Sequence, residues 1–337
     1  MPYYNSILKK PSLKYAHGYT CLDHACLYYT AIKEEKEWIN YIDDLIETGD
    51  IINSQNVERA KVQVINECNG MEKITIEREK IVRFVTENRI SYFAMGKVDE
   101  ISQITYKDIE VWLNNIKRKN IFYKIRFNEK RDIQEQVKAI IQKDKLAKKI
   151  KISECISDTD MVLHINEIED KKCTIDLYFK INNILSIEES INKTFILCYL
   201  QYLCKKYFYT DTYVKEKYFT YSERYIVITL IDINVDSSNN IANKLRRCLE
   251  KKNTVKELFY YKKLFYKYIK EWSLQDESNE DLINKFYNYV LYDIPIFDLK
   301  NVLELADVID ERIFVHLDYI THQPIKIVIK NAKRSKK

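Results

Sequence analysis

The chain has 337 residues, 46% hydrophobic and 31% charged, enough apolar material for the cores of a globular protein of two ordinary domains. Glycine and proline occur 4 times each, too rarely for the glycine-rich loops that cradle phosphates, and there is no Walker or dinucleotide fingerprint. A net charge of +5, from 55 basic and 50 acidic residues, is too small an excess to point to a nucleic-acid partner.

The spacing of Leu22, Cys26, Tyr29, Ile32, Trp38, Ile42 and Leu45 predicts one long helix over 21–47, with Thr20 as its N-cap and Gly49 as its stop. A second helix is expected over 54–68, where Val57, Ala60, Val64 and Cys68 share a face, and a third over 75–87. Thr105 with Asp108 three residues on forms a capping box, so a helix should start there. Residues 120–127 alternate as a strand does, and 128–151 form a charged helical stretch closing the first half. Strands are expected at 161–165 and 173–179, then a helix at 187–208 and the strongest strand at 225–231. Three or four helices should run to about 307, followed by strands at 312–317 and 325–329. The reading is an α+β fold in two halves, 1–150 and 151–337, with long helices against antiparallel or mixed sheets.

The 8 cysteines include no C-x-x-C pair, which argues against a zinc ribbon, and most lie in apolar runs as buried thiols do. With no signal peptide and no run long enough to span a bilayer, a cytoplasmic location without a membrane partner is expected. The run Phe259–Tyr268 interleaves aromatic and basic residues. That pattern serves single-strand stacking or an amphipathic helix, and the core-helix reading is preferred. His164, His316 and His322 show no paired spacing.

The stretch Thr20-Cys21-Leu22-Asp23-His24 resembles a damaged copy of the inverted zinc motif H-x-x-E-H. In the intact motif two histidines hold the metal and the glutamate activates its water. Here Thr20 replaces the first histidine, Asp23 replaces the glutamate, and His24 is intact. Further along, Glu58-Arg59 leads to Glu67, at the place of a third ligand. Gly96 to Ile101 is followed by Ile104-Thr105 and a helix start. Lys215-Glu216-Lys217-Tyr218-Phe219-Thr220-Tyr221 stands before the strong strand, like a segment R-E-x-x-G-L-x-Y.

In that order the blocks resemble the pitrilysin/insulinase family of zinc metallopeptidases. The resemblance implies two αβ-roll domains forming half of a clamshell. It also implies a heterodimer in which a homologous zinc-bearing subunit supplies the metal and this chain supplies Lys215 and Tyr221 to the peptide. The peptide would be processed in the chamber, as a modified-peptide leader is.

The residues themselves leave the metal open. Thr20 is a poor zinc ligand, Asp23 is one methylene short, and His17 or Cys21 would have to complete an atypical site. The plainer reading makes His24 and Glu67 a hydrogen-bonded remnant, with zinc in the partner and none in this chain. Lys215 lacks the planar fork of the arginine it replaces, and with 27 tyrosines in the chain Tyr221 is not distinctive by type. Three alternatives stand beside the paired subunit: a stand-alone metallopeptidase around His24, Glu67 and Asp23, a non-enzymatic peptide-binding or immunity protein, and an α+β nucleic-acid binder.

Overall fold

The computed structural model describes residues 13–20, 25–31, 52–90, 96–118, 159–165, 171–181, 187–220, 223–234, 240–249, 257–258, 260–267, 270 and 313–331. The chain divides into two compact units. The first takes Met1–Lys80, Arg89–Arg126 and Lys138–Ile150, and the second Ile81–Asn88, Phe127–Val137 and Lys151–Lys337.

The first unit begins with an antiparallel pair, β1 (Leu13–Thr20) and β2 (Ala25–Ala31), in register from Thr20↔Ala25 through Gly18↔Leu27 to Tyr15↔Thr30. This corrects the helix expected over 21–47: Cys26 and Tyr29 lie in a strand, and Thr20 ends one instead of capping a helix. The run Ala-Cys-Leu-Tyr-Tyr satisfies either period over so short a length. The adjacent strand Leu13–Thr20 decides the matter, by offering backbone partners that local spacing does not reveal. The rest of the expected helix, and the strand at 120–127 and helix at 128–151, lie outside the described residues.

One helix, α1 (Ser54–Val85), replaces the two expected at 54–68 and 75–87. Asn53 caps it, its side-chain oxygen accepting the Asn56 amide at 2.9 Å. The helix runs through Gly70; a mid-helix glycine costs only about 1 kcal/mol, which 32 continuous residues absorb. The helix stops at Glu87 and Asn88, both left-handed at φ 51° and 60°, where the Asn88 amide reaches back to the Arg83 carbonyl at 2.7 Å.

Helix α2 (Val98–Gln103) follows Gly96, whose φ of 71° suits glycine. Helix α3 (Tyr106–Arg118) starts at the expected capping box. The Thr105 amide donates to Asp108 Oδ2 at 2.8 Å, and the Asp108 amide donates to Thr105 Oγ1 at 3.3 Å. The Thr105 hydroxyl also donates to that carboxylate at 2.6 Å, which holds the Asp108 carboxyl below the usual carboxylate range.

The second unit is built on a mixed five-stranded sheet in the order β3-β7-β4-β6-β5. Its strands are β3 (Met161–His164), β4 (Lys172–Lys180), β5 (Thr212–Tyr218), β6 (Arg224–Asn234) and β7 (Lys326–Asn331). β3 runs parallel to β7, and the other neighbours are antiparallel. Alternation sends Ile175, Leu177 and Phe179 of β4, Ile226, Ile228 and Leu230 of β6, and Ile327 and Ile329 of β7 into one buried cluster. Helix α4 (Ile187–Phe208) covers that face with two adjacent stripes: Ile191, Phe195, Tyr199 and Leu203, and beside them Ile196, Leu200 and Cys204. Helix α5 (Ile241–Leu249) adds Ile241, Leu245 and Leu249.

Helix α6 (Ile313–His322) is a second correction, since 312–317 was expected to be a strand. Its β-branched and aromatic start favours a strand locally, but the helix buries Leu317 and Ile320, which share a face, in the sheet core. Tyr261 and Phe265 are buried as well, with the Phe265 ring 5.0 Å from that of Phe195, so the described part of the basic–aromatic run, 260–267, is a helix packed on the core. Cys68, Cys173, Cys204 and Cys248 are buried free thiols, and burial pushes the thiols of Cys173, Cys198, Cys204 and Cys248 up.

Candidate functional site

An H-x-x-E-H motif works because a helix puts its three groups on one side of one turn. Here strands, not a helix, flank the motif on both sides. Thr20 closes β1 and is exposed, Ala25 opens β2, and no helix continues from the motif through 25–31. His17 lies on β1, so it cannot share a helix face with His24. His24, Asp23 and Cys21 lie outside the described residues. Glu67 is on α1 and exposed, beside the buried Cys68. Among the described residues no group of three His, Cys, Asp or Glu side chains converges to hold a metal.

Of the second predicted group, one residue is described. Lys215 sits in the middle of β5, an edge strand, and is exposed; Tyr221 lies outside the described residues. At the two ends of the pairing the Phe219 amide donates to the Glu223 carbonyl at 2.9 Å and the Ile231 amide to the Asp211 carbonyl at 3.0 Å. The odd-numbered residues of β5 therefore bond β6, and the backbone groups of Thr212, Val214, Glu216 and Tyr218 point to the sheet edge. The Val214 amide there is met by Gln201 Oε1 at 3.4 Å. Val214 packs on the core, so Lys215 and Tyr213 project from the other face, Tyr213 with 56% of its surface exposed.

The end of this hairpin is anchored by charge and aromatic contacts that sequence reading missed. Glu216 meets Lys193 of α4 at 2.6 Å, and burial lowers the Lys193 ammonium despite that partner. The buried Arg224 guanidinium lies 5.6 Å from the Tyr218 ring. On the opposite face Lys217 sits 4.8 Å from the Phe219 ring and 5.5 Å from that of Tyr178. Tyr225 beside them lies 3.2 Å from the Val85 carbonyl. The alternation of Thr212 to Tyr218 was the available signal for this strand. Chemically, the arrangement offers an edge for an extended chain, with the Lys215 cation and the Tyr213 phenol beside it.

No family model matches the sequence, and no curated protein matches it. Solved structures do match in shape. The first half of the periplasmic protease PqqL from Escherichia coli superposes with a TM-score of 0.66 at 11% identity, over 98% of this chain and 77% of that one. The chain has the fold of an M16-type peptidase half. Against the whole of PqqL the TM-score is 0.66 at 12% identity, and the match covers 94% of this chain but 39% of that one. A structure from Pseudomonas fluorescens described as a peptidase M16 inactive domain matches with a TM-score of 0.60 at 12% identity, over 96% of this chain and 82% of that one. The expected α+β architecture of an M16, pitrilysin-like half is therefore met, while the zinc-motif helix that first pointed to it is absent at 25–31. No helix among the described residues is long and apolar enough to cross a membrane.

Proposed function

We propose that this chain is a non-catalytic subunit of a pitrilysin-type metallopeptidase, which pairs with a homologous zinc-bearing subunit to bind and process peptides. The observation that carries the reading is an M16-type fold in which strand Ala25–Ala31 follows the motif where its chemistry calls for a helix. The likeness to a domain described as inactive supports it further. In this reading residues 1–150 and 151–337 are the two peptidase-like halves, working in the cytoplasm, and zinc belongs to the partner. The edge of β5 takes an extended peptide by backbone hydrogen bonds, and Lys215 and Tyr221 contact it, as donors suited to a carbonyl oxygen that gains negative charge. A modified-peptide leader is the substrate class.

Two measurements test the reading. Metal analysis of the purified chain should find no stoichiometric zinc. A co-expressed homologue with an intact H-x-x-E-H should cleave peptide faster with this chain than alone, and Lys215→Ala should reduce that gain. One zinc per chain, lost in His24→Ala together with hydrolysis by this chain alone, would establish the stand-alone enzyme instead. Tight peptide binding with no cleavage in any pairing would establish the non-enzymatic binding protein.

A further inference from the structure

A cavity of about 670 Å3 opens in the second unit where β4 begins, β6 ends and α5 starts. It falls within the range of roughly 300–1,000 Å3 that ligand sites occupy. Its lining is mixed, more polar than apolar, with Phe208, Ile233 and Ile241 of the sheet core at its base, each at most 8% exposed. Around the floor stand three lysines from three separate elements: Lys172 of β4, Lys205 in the last turn of α4, and Lys244 in the first turn of α5. Lys244 is already positioned, its ammonium 5.0 Å from the centre of the Phe208 ring.

The backbone is unusual at the same place. Tyr209 and Asp232 both line the cavity and both have left-handed φ, 53° and 59°. A tyrosine ending a helix in the left-handed region stands where glycine or asparagine is ordinarily found. It is not held there by burial, because 91% of its surface is exposed. Asp232 lies in a bulge: Cys173 pairs with Ile233 but Ile175 with Leu230, so β6 carries one residue more than β4 across this stretch. Such bulges bend a strand and re-aim its side chains. Conformational cost concentrated around one recess marks a place shaped for contact.

We propose that this cavity holds the C-terminal end of a peptide, with the last side chain on the Phe208–Ile233–Ile241 floor and the α-carboxylate among Lys172, Lys205 and Lys244. The inference rests on the peptide-handling reading for its ligand class and adds a second contact point to it. The two rim carboxylates, Asp211 and Asp232, select the class. They repel a polyanion, whereas a peptide end brings one carboxylate together with amide N–H groups that such acceptors bind. Tyr209 packs along the peptide from the rim.

The test is fluorescence anisotropy on the full chain alone, with a fluorescein-labelled tetrapeptide ending in phenylalanine, as the free acid and as the C-terminal amide. The free acid should bind, and the amide about tenfold more weakly, as loss of a charge-assisted hydrogen bond predicts. Lys205→Gln and Lys244→Gln should each weaken the acid by a similar factor and leave the amide unchanged. Tyr209→Gly separates binding from folding, because it relieves the left-handed residue: it should melt higher than the parent and bind the acid more weakly. Equal binding of acid and amide, no binding of either, or lysine variants that keep the parent melting temperature and affinity, would overturn the proposal. No partner is present in this assay, so its failure leaves the paired-subunit reading standing, and failure of pairing leaves this site standing.

Discussion

The sheet of the second unit and helix α3 of the first are opposite cases of apolar sequence. In the sheet, Ile175, Leu177, Ile228, Leu230 and Ile329 are at most 1% exposed, and α4 lays Phe195, Tyr199 and Leu200 on them at 0%. In α3 none of residues 106–115 is buried, and Val111 and Trp112 keep 52% and 55% of their surface exposed. Both segments are rich in large apolar residues, yet one gains burial free energy of about 25 cal/mol per Å2 and the other retains much of its contact with water. Apolar content alone does not mark the core. The core forms where strand alternation and helical stripes meet on one surface.

Mutations sharpen the contrast in descending order. Phe195→Ala removes a fully buried ring from the face of α4 against the sheet and should cost about 3–5 kcal/mol in denaturant unfolding followed by circular dichroism.

Asp160→Ala should cost about 1–2 kcal/mol, because one side chain joins three elements. Its carboxylate receives Arg246 of α5 at 2.6 and 2.7 Å and the Ile325 amide, just before β7, at 2.9 Å, which fastens β3 beside its parallel neighbour. Burial works to raise the Asp160 carboxyl, but the hydrogen bonds from Arg246 and the Ile325 amide outweigh it and hold the group below the usual range. A depressed folded pKa means stability that is present above the unfolded value near 3.9 and lost as pH falls through the folded one. The melting-temperature gap between parent and Asp160→Asn should therefore be widest above about pH 4 and narrow on further acidification.

Thr105→Ala should cost about 1 kcal/mol and fray the first turn of α3, seen as faster amide exchange at Tyr106 to Asp108. Trp112→Ala should change stability by less than about 0.5 kcal/mol; a loss near that of Phe195→Ala would mean that this ring is packed in solution and would erase the contrast.

The elements that follow local rules were legible in the sequence. Helix α4 spans Ile187–Phe208 as its spacing predicts, β4 and β6 contain their expected runs, and Thr105 with Asp108 starts α3. The misreadings at β2 and α6 fall where packing partners outside the segment overrule its local preference. β2 took its conformation from β1, and α6 bends a strand-favouring start into a helix to seat Leu317 and Ile320. β5 was noticed only as a block resembling a family segment, although its alternation announces a strand. The site was less legible than the fold, for a related reason. The spacing of Thr20, Asp23 and His24 carries its meaning on a helix, and the residues described on either side, Leu13–Thr20 and Ala25–Ala31, are strands. The cavity left no one-dimensional signal at all, since Lys172, Lys205 and Lys244 meet only once β4, α4 and α5 are folded.

The position of β7 has a consequence for how the protein is made. It lies between β3 and β4, although 165 residues separate Met161 from the Lys326 side chain that reaches it. Translation at roughly 5–20 residues per second leaves roughly 8–33 s between the emergence of β3 and the arrival of the one strand it pairs with among the described residues. During that interval β4 can pair with β6, but its other edge stays bare, a ready template for strands of other chains. The second unit is thus most exposed to aggregation between the synthesis of β4 and that of β7, and chaperone demand should fall once residues 326–331 emerge.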